Sequence, residues 1–235
     1  MKPPIVIFSS DENDLYRPFV EPVTAAWEGM GFEVMCVIVN ESNHYADKDQ
    51  IPYGNQAQMV RALLPALYPE RIFLISDVDM LPLSEKYFSG VISLVDSGTK
   101  VVNVSADAYP GKLRFPMCYY AGRGSAFANV TGVRSPEDVS SVMKSWWQKD
   151  LGWETDELCF AASLEESAKA RIADVSLYSR GWQQGRAVGR IDRDLWVYDK
   201  EGLENGSYVD SHMLRPFETH KQYLAPLFAS VGVSI

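Results

Sequence analysis

Three short apolar runs, separated by two helical patterns, open the chain and constrain its fold more than any other feature. The runs span residues 4–9, 32–40 and 71–76, and each is rich in β-branched or aromatic side chains. Residues 15–30, and a segment that starts at Asn55, carry apolar residues at helical spacing. The third run (RIFLIS) is almost continuously apolar, which is typical of a strand buried on both faces. The order βαβαβ predicts an α/β fold with a mostly parallel central sheet and helices on both faces.

The second helical pattern carries its own start and stop signals. Asn55 is a favourable N-cap residue, and Pro65 should kink the helix or end it early. One face of this helix collects the apolar side chains of Met59, Val60, Leu63, Leu64 and Leu67. We therefore expect a helix that begins at Asn55 and is disturbed near Pro65.

The second half of the chain is less regular. Its apolar patterns predict strands over residues 100–105 and 117–121, and helices over 137–149 and 155–170. The last 55 residues are expected to mix short strands and loops. Because no low-complexity run or composition shift marks a linker, residues 1–235 are expected to form a single domain.

Charge and composition exclude several classes of protein. The chain has 235 residues and a formal net charge of −9, which disfavours binding to nucleic acid. No stretch approaches the roughly 18 apolar residues of a membrane helix, and the run at 4–9 is too short for a signal peptide. Cys36, Cys118 and Cys159 stand apart among apolar neighbours, and we interpret them as buried thiols. We expect a soluble, cytoplasmic protein with no nucleic-acid partner and no membrane span.

Two acidic residues directly follow the third predicted strand. Asp77 and Asp79 stand at positions i and i+2, so on a continuing strand their side chains would point to the same side. Like charges this close need a positive partner, and carboxylate oxygens suit Mg²⁺ or Mn²⁺. The alternative is a solvated turn that happens to hold two acids. A second polar break, SSD at residues 9–11, follows the first strand, and parallel sheets bind ligands beyond such strand ends.

Residues 55–83, which contain R-x-L-L-P at 61–65 and then D-x-D at 77–79, resemble the centre of a GT-A-fold glycosyltransferase. The resemblance implies a Rossmann-like GT-A fold, a nucleotide-sugar donor (a UDP-sugar above all), and a bound Mn²⁺ or Mg²⁺. It implies a nucleotide-binding half over about 1–105 and an acceptor and catalytic half over about 106–235. The implied metal ligands include Asp77 and Asp79. The implied nucleotide-binding residues are Ser9, Ser10, Asp11, Arg61 and Val78.

The segment DSHMLRPF at 210–217 is similar to the C-terminal stretch of many GT-A enzymes. The resemblance implies that His212 is the third metal ligand and that Arg215 grips the diphosphate. Imidazole is acceptable to Mn²⁺, and a guanidinium forks onto phosphate oxygens. The alternative is that His212 has a structural role only, with its hydrogen bonds made within the fold.

Two further segments carry weaker likenesses. GWETDEL at 152–158 resembles the acidic segment of inverting members, which implies Asp156 as the general base, with Glu157 or Glu154 as alternatives. Acids at this position also stabilise a helix N-terminus without any catalytic role. The stretch 119–126 resembles the turn under the donor sugar in such enzymes. It implies sugar contacts for Gly122 and Gly124, and Trp153 is the aromatic residue expected to face an acceptor sugar.

The implied function is a metal-dependent, hexosyltransferase-type transfer from a UDP-sugar to a glycan, a lipid-linked acceptor or a protein, with inversion at the anomeric carbon. Three alternatives remain open at this point. A haloacid-dehalogenase-like phosphatase would use Asp77 and Asp79, although Leu81 stands where that motif has Thr or Val. A nucleotidyltransferase would need a Gly-rich loop after the first strand, where this chain has SSDE. A sugar- or nucleotide-binding module without turnover is the third.

Overall fold

A six-stranded sheet forms the centre of the fold. The computed structural model describes residues 2–95, 98–112, 114–183 and 186–235. The sheet has the strand order β2-β1-β3-β6-β5-β7. Its strands are β1 (Ile5–Asp11), β2 (Glu33–Val39), β3 (Ile72–Ile75), β5 (Lys100–Asn103), β6 (Tyr120–Arg123) and β7 (Asp174–Leu177). β1 is parallel to β2 and β3, β5 is parallel to β7, and β6 alone is antiparallel to both its neighbours. The predicted α/β fold with a mostly parallel central sheet is confirmed.

Helices cover both faces of this sheet. Their bounds are α1 (Val20–Gly29), α2 (Tyr53–Leu63), α3 (Glu85–Ser93), α4 (Gly124–Thr131), α5 (Pro136–Trp147), α6 (Thr155–Lys169), α7 (Lys200–Glu204) and α8 (Phe217–Ser230). Short 3-10 turns span Arg17–Phe19, Leu64–Leu67 and Gly152–Glu154. No helix in the described parts of the chain combines the length and apolar character needed to cross a bilayer.

The alternation of side chains along β1 divides the core in two. Ile5 and Ile7 pack into one apolar cluster with residues of α2, α4, α5 and α6. Val6 and Phe8 pack into the other, with residues of α1, α3 and α8. Because successive strand residues point to opposite faces, one continuously apolar strand supplies both clusters.

Two small sheets complete the described fold. β4 (Met80–Pro82) pairs antiparallel with β11 (Asp210–His212), and β10 (Arg190–Asp192) pairs in parallel with β11. β8 (Trp182–Gln183) pairs with β9 (Arg186–Ala187). The β4–β11 pairing places Met80 opposite His212, so the segment after the D-x-D pair lies beside the C-terminal stretch.

Several local predictions differ from the structure. The N-cap of α2 is Pro52, not Asn55, which lies inside the first turn of the helix. α2 ends at Leu63 and continues as a 3-10 turn through Pro65, in agreement with an early end. The C-terminal region is not only short strands and loops, because α8 runs for 14 residues with Pro226 inside it. Cys36 is only partly buried, whereas Cys118 and Cys159 are buried as predicted.

Candidate functional site

A cleft of about 490 Å³ opens at the carboxyl ends of β1 and β3, between the large sheet and the β10-β11-β4 sheet. β1 continues past β3, since Ile7 pairs with Ile75 and the last paired residue of β1 is Asp11. The polar residues that follow the two strands therefore meet at one edge of the sheet. The predicted site residues that line this cleft are Ser9, Ser10, Asp11, Arg61, Asp77, Val78, Asp79, Trp153, Glu154, Asp156, Glu157, His212 and Arg215.

Asp79 is buried at one end of the cleft and is surrounded by cations. Its Oδ2 accepts a hydrogen bond from Arg193 Nη1 at 2.9 Å and lies 3.5 Å from both His212 Nε2 and Arg215 Nε. Burial by itself would raise the pKa of Asp79, but His212, Arg193 and Arg215 outweigh it and hold the pKa well below its usual range. Asp79 is therefore ionised at neutral pH, and three cationic groups converge on the space around it.

His212 lies between two carboxylates. Its Nε2 faces Asp79, and its Nδ1 lies 3.8 Å from Asp192 Oδ2. Burial would lower the pKa of His212, but Asp79 and Asp192 outweigh burial and raise it to about 9. The pairing of β10 with β11 sets this arrangement, because Asp192 is the register partner of His212.

A buried ion-pair cluster holds the small sheet under this end of the cleft. Asp210 accepts hydrogen bonds from Arg180 at 2.7 and 2.8 Å and from Arg190 at 2.9 and 3.0 Å. All three side chains are almost completely buried. Asp210 is the carboxylate that both guanidiniums share, so removing it would leave two buried cations without this partner. The Arg190–Asp210 pair also ties β10 to β11.

Asp77 does not share the surroundings of Asp79. Its Oδ1 pairs with Arg61 Nη1, and Arg61 Nη2 donates to Asp156 Oδ2 at 3.0 Å. A turn at Val78 and Asp79 ends the strand alternation, so the two carboxylates contact different groups instead of pointing together. Arg61 is the positive partner of Asp77, and it links Asp77 to Asp156 at the opposite end of the cleft from His212.

Asp156 and Glu157 differ sharply in their surroundings. Asp156 is 2% exposed and paired with Arg61, whereas Glu157 is half-buried on the cleft wall. Burial, assisted by the charges of Asp156 and Asp77, raises the pKa of Glu157 to about 7. A carboxyl with that pKa can exchange a proton at neutral pH, whereas Asp156 is paired with Arg61 and Glu154 with Arg114.

The side chains of Ser9 and Ser10, near the end of β1, form hydrogen bonds within the protein. The Ser9 hydroxyl donates to the Ala57 carbonyl, and the Ser10 hydroxyl donates to the Asp11 carbonyl at 2.8 Å. Asp11 Oδ2 would lie 3.2 Å from a Cβ at Gly54, so α2 approaches Asp11 closely here. Only Asp11 of these three keeps a side chain that is partly exposed in the cleft.

The structure does not place Gly122 and Gly124 at the cleft, and their expected sugar contacts are corrected. Gly122 lies inside β6, where a Cβ would come within 3.0 Å of the Lys100 carbonyl. At Gly124 a Cβ would lie 2.2 Å from the Tyr68 carbonyl oxygen. Both glycines permit close packing between backbones.

The sequence interpretation missed several residues of the cleft. Arg193 is the nearest cation to Asp79, and Asp192 holds the other side of His212. Arg215 lies over the ring of Tyr16 at 4.7 Å and donates to its hydroxyl. Tyr109 lines the opposite end, near Glu157. The alternation of charges in RIDRD at 190–194 is the one sequence signal that could have identified Arg193 and Asp192.

The donors around Asp79 fit part of a divalent-cation site. No group of three or more His, Cys, Asp or Glu side chains in the described ranges converges closely enough to form a complete site. Asp79 Oδ2 and His212 Nε2 nevertheless face each other across 3.5 Å, and carboxylate and neutral imidazole are both ligands of Mn²⁺. Because the pKa of His212 is about 9, an ion bound there would displace a proton from Nε2. Such ions often take only one or two protein ligands and complete their shell with substrate phosphates and water. Asp77 is turned away to Arg61 and does not join this pair.

The fold is similar to the crystal structure of a glycosyltransferase that is described as involved in the glycosylation of the major capsid of PBCV-1. The match has a TM-score of 0.50 and 12% sequence identity, and it covers 94% of this chain and 99% of that chain. At this identity the likeness shows the mixed α/β fold alone. No protein-family model matches the chain, and no curated protein sequence matches it significantly.

Proposed function

We propose that this chain is a glycosyltransferase of the hexosyltransferase type that moves a sugar from a nucleotide diphosphate sugar, expected to be a UDP-sugar, to a hydroxyl acceptor. One observation carries the proposal. A single cleft presents converging cations around Asp79 at one end and, at the other, Glu157 with a pKa of about 7. The similarity of the fold to a glycosyltransferase, and the residues that resemble the GT-A family, support the same conclusion.

The cationic end suits the diphosphate of the donor. Arg193 and Arg215 could each donate to phosphate oxygens, and a guanidinium can form two parallel hydrogen bonds with them. They would then stabilise the negative charge that grows on the leaving nucleoside diphosphate. Asp79 and His212 would hold a divalent ion, Mn²⁺ or Mg²⁺, which supplies Lewis-acid stabilisation of the same charge when bound.

Glu157 takes the role of base in this proposal, in place of Asp156. The acceptor hydroxyl oxygen attacks the anomeric carbon, its proton passes to a Glu157 carboxylate oxygen, and the carbon–oxygen bond to the diphosphate breaks with its electron pair. Asp156 pairs with Arg61 and orients that guanidinium. Burial raises the pKa of Asp156, and the charge of Arg61 counters part of that rise. One displacement from the side opposite the leaving group inverts the anomeric configuration.

The phosphatase alternative is less compatible with the charges of the cleft. That chemistry needs Asp77 as a nucleophile and Asp79 as a proton donor. Asp77 is paired with Arg61, and the lowered pKa of Asp79 leaves it without a proton at neutral pH. The environment of both residues therefore opposes the roles that a phosphatase would give them.

A thermal-shift panel tests the donor class. UDP, GDP and CMP are added with and without Mn²⁺ to the wild type and to Asp79→Ala. A ligand at a hundredfold excess over Kd stabilises the folded state by about 2.7 kcal/mol, which is a shift of several degrees. We expect a Mn²⁺-dependent shift with UDP that is lost in Asp79→Ala. If no nucleotide shifts the melting temperature, the proposal is contradicted. If UDP does, a turnover assay with a UDP-sugar distinguishes an enzyme from a binding module.

A further inference from the structure

Resting on the proposed function, we propose that the acceptor is an uncharged saccharide. It would bind with an apolar face against Trp153 and its reacting hydroxyl at Glu157. The carboxylates around Glu157 would repel an acceptor that carries a phosphate beside the reacting sugar. The proposal thus selects a glycan over a sugar linked to a lipid phosphate.

The balance of charge differs between the two ends of the cleft. At the Asp79 end, the cationic groups of Arg193, Arg215 and His212 are matched by the carboxylates of Asp79, Asp192 and Asp194. The other end holds the carboxylates of Asp77, Glu154, Asp156 and Glu157. A phosphate entering there would meet like charges in a partly buried environment, and such repulsion is an effective way to reject a wrong ligand.

The two guanidiniums near these carboxylates are already paired. Arg61 is buried between Asp77 and Asp156. Arg114 lies over the ring of Tyr109 at 4.3 Å and forms an ion pair with Glu154. Among the described residues that line the cleft, the other arginines are Arg190, Arg193 and Arg215, which belong to the Asp79 end or to the Asp210 cluster.

Trp153 provides the surface that an uncharged sugar would use. It lies in the Gly152–Glu154 turn, lines the cleft and is 59% exposed. The turn precedes α6 directly, so Trp153 is only four residues from Glu157. An exposed indole offers a rigid apolar face with little loss of conformational entropy, and the neighbouring carboxylates can accept hydrogen bonds from sugar hydroxyls.

The test compares matched ligands on one protein. Fluorescently labelled protein with UDP and Mn²⁺ is applied to an array of uncharged glycans and of the same glycans bearing a phosphate on the terminal sugar. We expect binding to at least one uncharged glycan and at least tenfold weaker binding to its phosphorylated counterpart. Trp153→Ala should weaken glycan binding on the order of tenfold, whereas Trp153→Phe should retain most of it. Tyr223→Ala is the matched control, because Tyr223 is 51% exposed on α8 and lies outside the lining of the cleft.

A charge variant tests the exclusion of phosphate directly. Glu154→Gln removes a carboxylate and the ionic partner of Arg114. It should therefore reduce the difference in binding affinity between each uncharged glycan and its phosphorylated counterpart. Equal or tighter binding of phosphorylated glycans by the wild type would overturn the inference, as would binding of no uncharged glycan. If UDP still stabilises the protein in either case, the proposed function stands and only the acceptor class is wrong. If no nucleotide stabilises it, the proposed function fails, and this inference fails with it.

Discussion

At the residue scale, Glu157 makes the most direct prediction. A general base must be deprotonated, so kcat/KM of the free enzyme should rise with pH through a midpoint near the Glu157 pKa of about 7. Glu157→Gln should lower kcat by about 10²–10⁴-fold and leave the UDP-induced thermal shift unchanged. Glu165→Gln, on the same helix but paired with Lys169, is the control and should keep normal activity. A rate that does not change between pH 5.5 and 8 would contradict this role.

The same raised pKa predicts an effect on stability. Because the folded protein disfavours the charged form of Glu157, stability falls as the pH rises from the ordinary glutamate value through about 7. Glu157→Gln removes that charge and should therefore be more stable than the wild type above pH 7. Urea unfolding of both proteins at pH 5 and pH 8 measures this difference, which should be larger at pH 8.

Asp156 provides a second prediction for the pH dependence of the rate. Asp156→Asn removes a charge that raises the pKa of Glu157, so the midpoint of the pH–rate profile should move to lower pH. It also replaces a charged acceptor of the buried Arg61 by a neutral one. If Asp156 were the base instead, Asp156→Asn would abolish turnover while Glu157→Gln would retain it.

At the element scale, the junction between β6 and α4 depends on Gly124. A Cβ there would lie 2.2 Å from the Tyr68 carbonyl oxygen and 2.4 Å from that of Pro65, both rigid backbone atoms. Gly124→Ala should therefore cost about 2–3 kcal/mol or more of unfolding free energy. Gly90→Ala is the matched control, because Gly90 is an exposed residue of α3 with nothing within 4 Å of an added Cβ. It should gain about 0.5–1 kcal/mol, and denaturant titration of both variants decides the prediction.

At the scale of the whole molecule, α8 brings the end of the chain against its beginning. Phe217 contacts Phe19 edge-to-face at 5.1 Å, and Phe228 is fully buried in the cluster that also holds Val6 and Phe8. Phe228→Ala should cost about 3–5 kcal/mol of unfolding free energy. Tyr223→Ala, on the same helix, should change it by less than about 0.5 kcal/mol. A loss in Phe228→Ala no larger than that in Tyr223→Ala would show that burial of Phe228 does not hold α8 to the fold.

Prediction from sequence succeeded where the signal is local. The three apolar runs define β1, β2 and β3, because a strand buried on both faces requires continuous apolar side chains. Pro65 ended α2 early because proline cannot donate the helical hydrogen bond. α8 was missed because Pro226 interrupts its pattern, although the helix is held by its packing against the core.

The sequence by itself determined the α/β fold and the edge of the sheet where the cleft opens, since the succession of strands and helices along the chain and the polar strand ends follow from local patterns. Only the tertiary structure decided which side chains meet there. Arg193 reaches Asp79 across 114 positions of the chain, and no local pattern encodes that distance. Asp156 and Glu157 are neighbours on a helix, so their side chains point roughly 100° apart. Packing against Arg61 buries the first and leaves the second on the cleft wall.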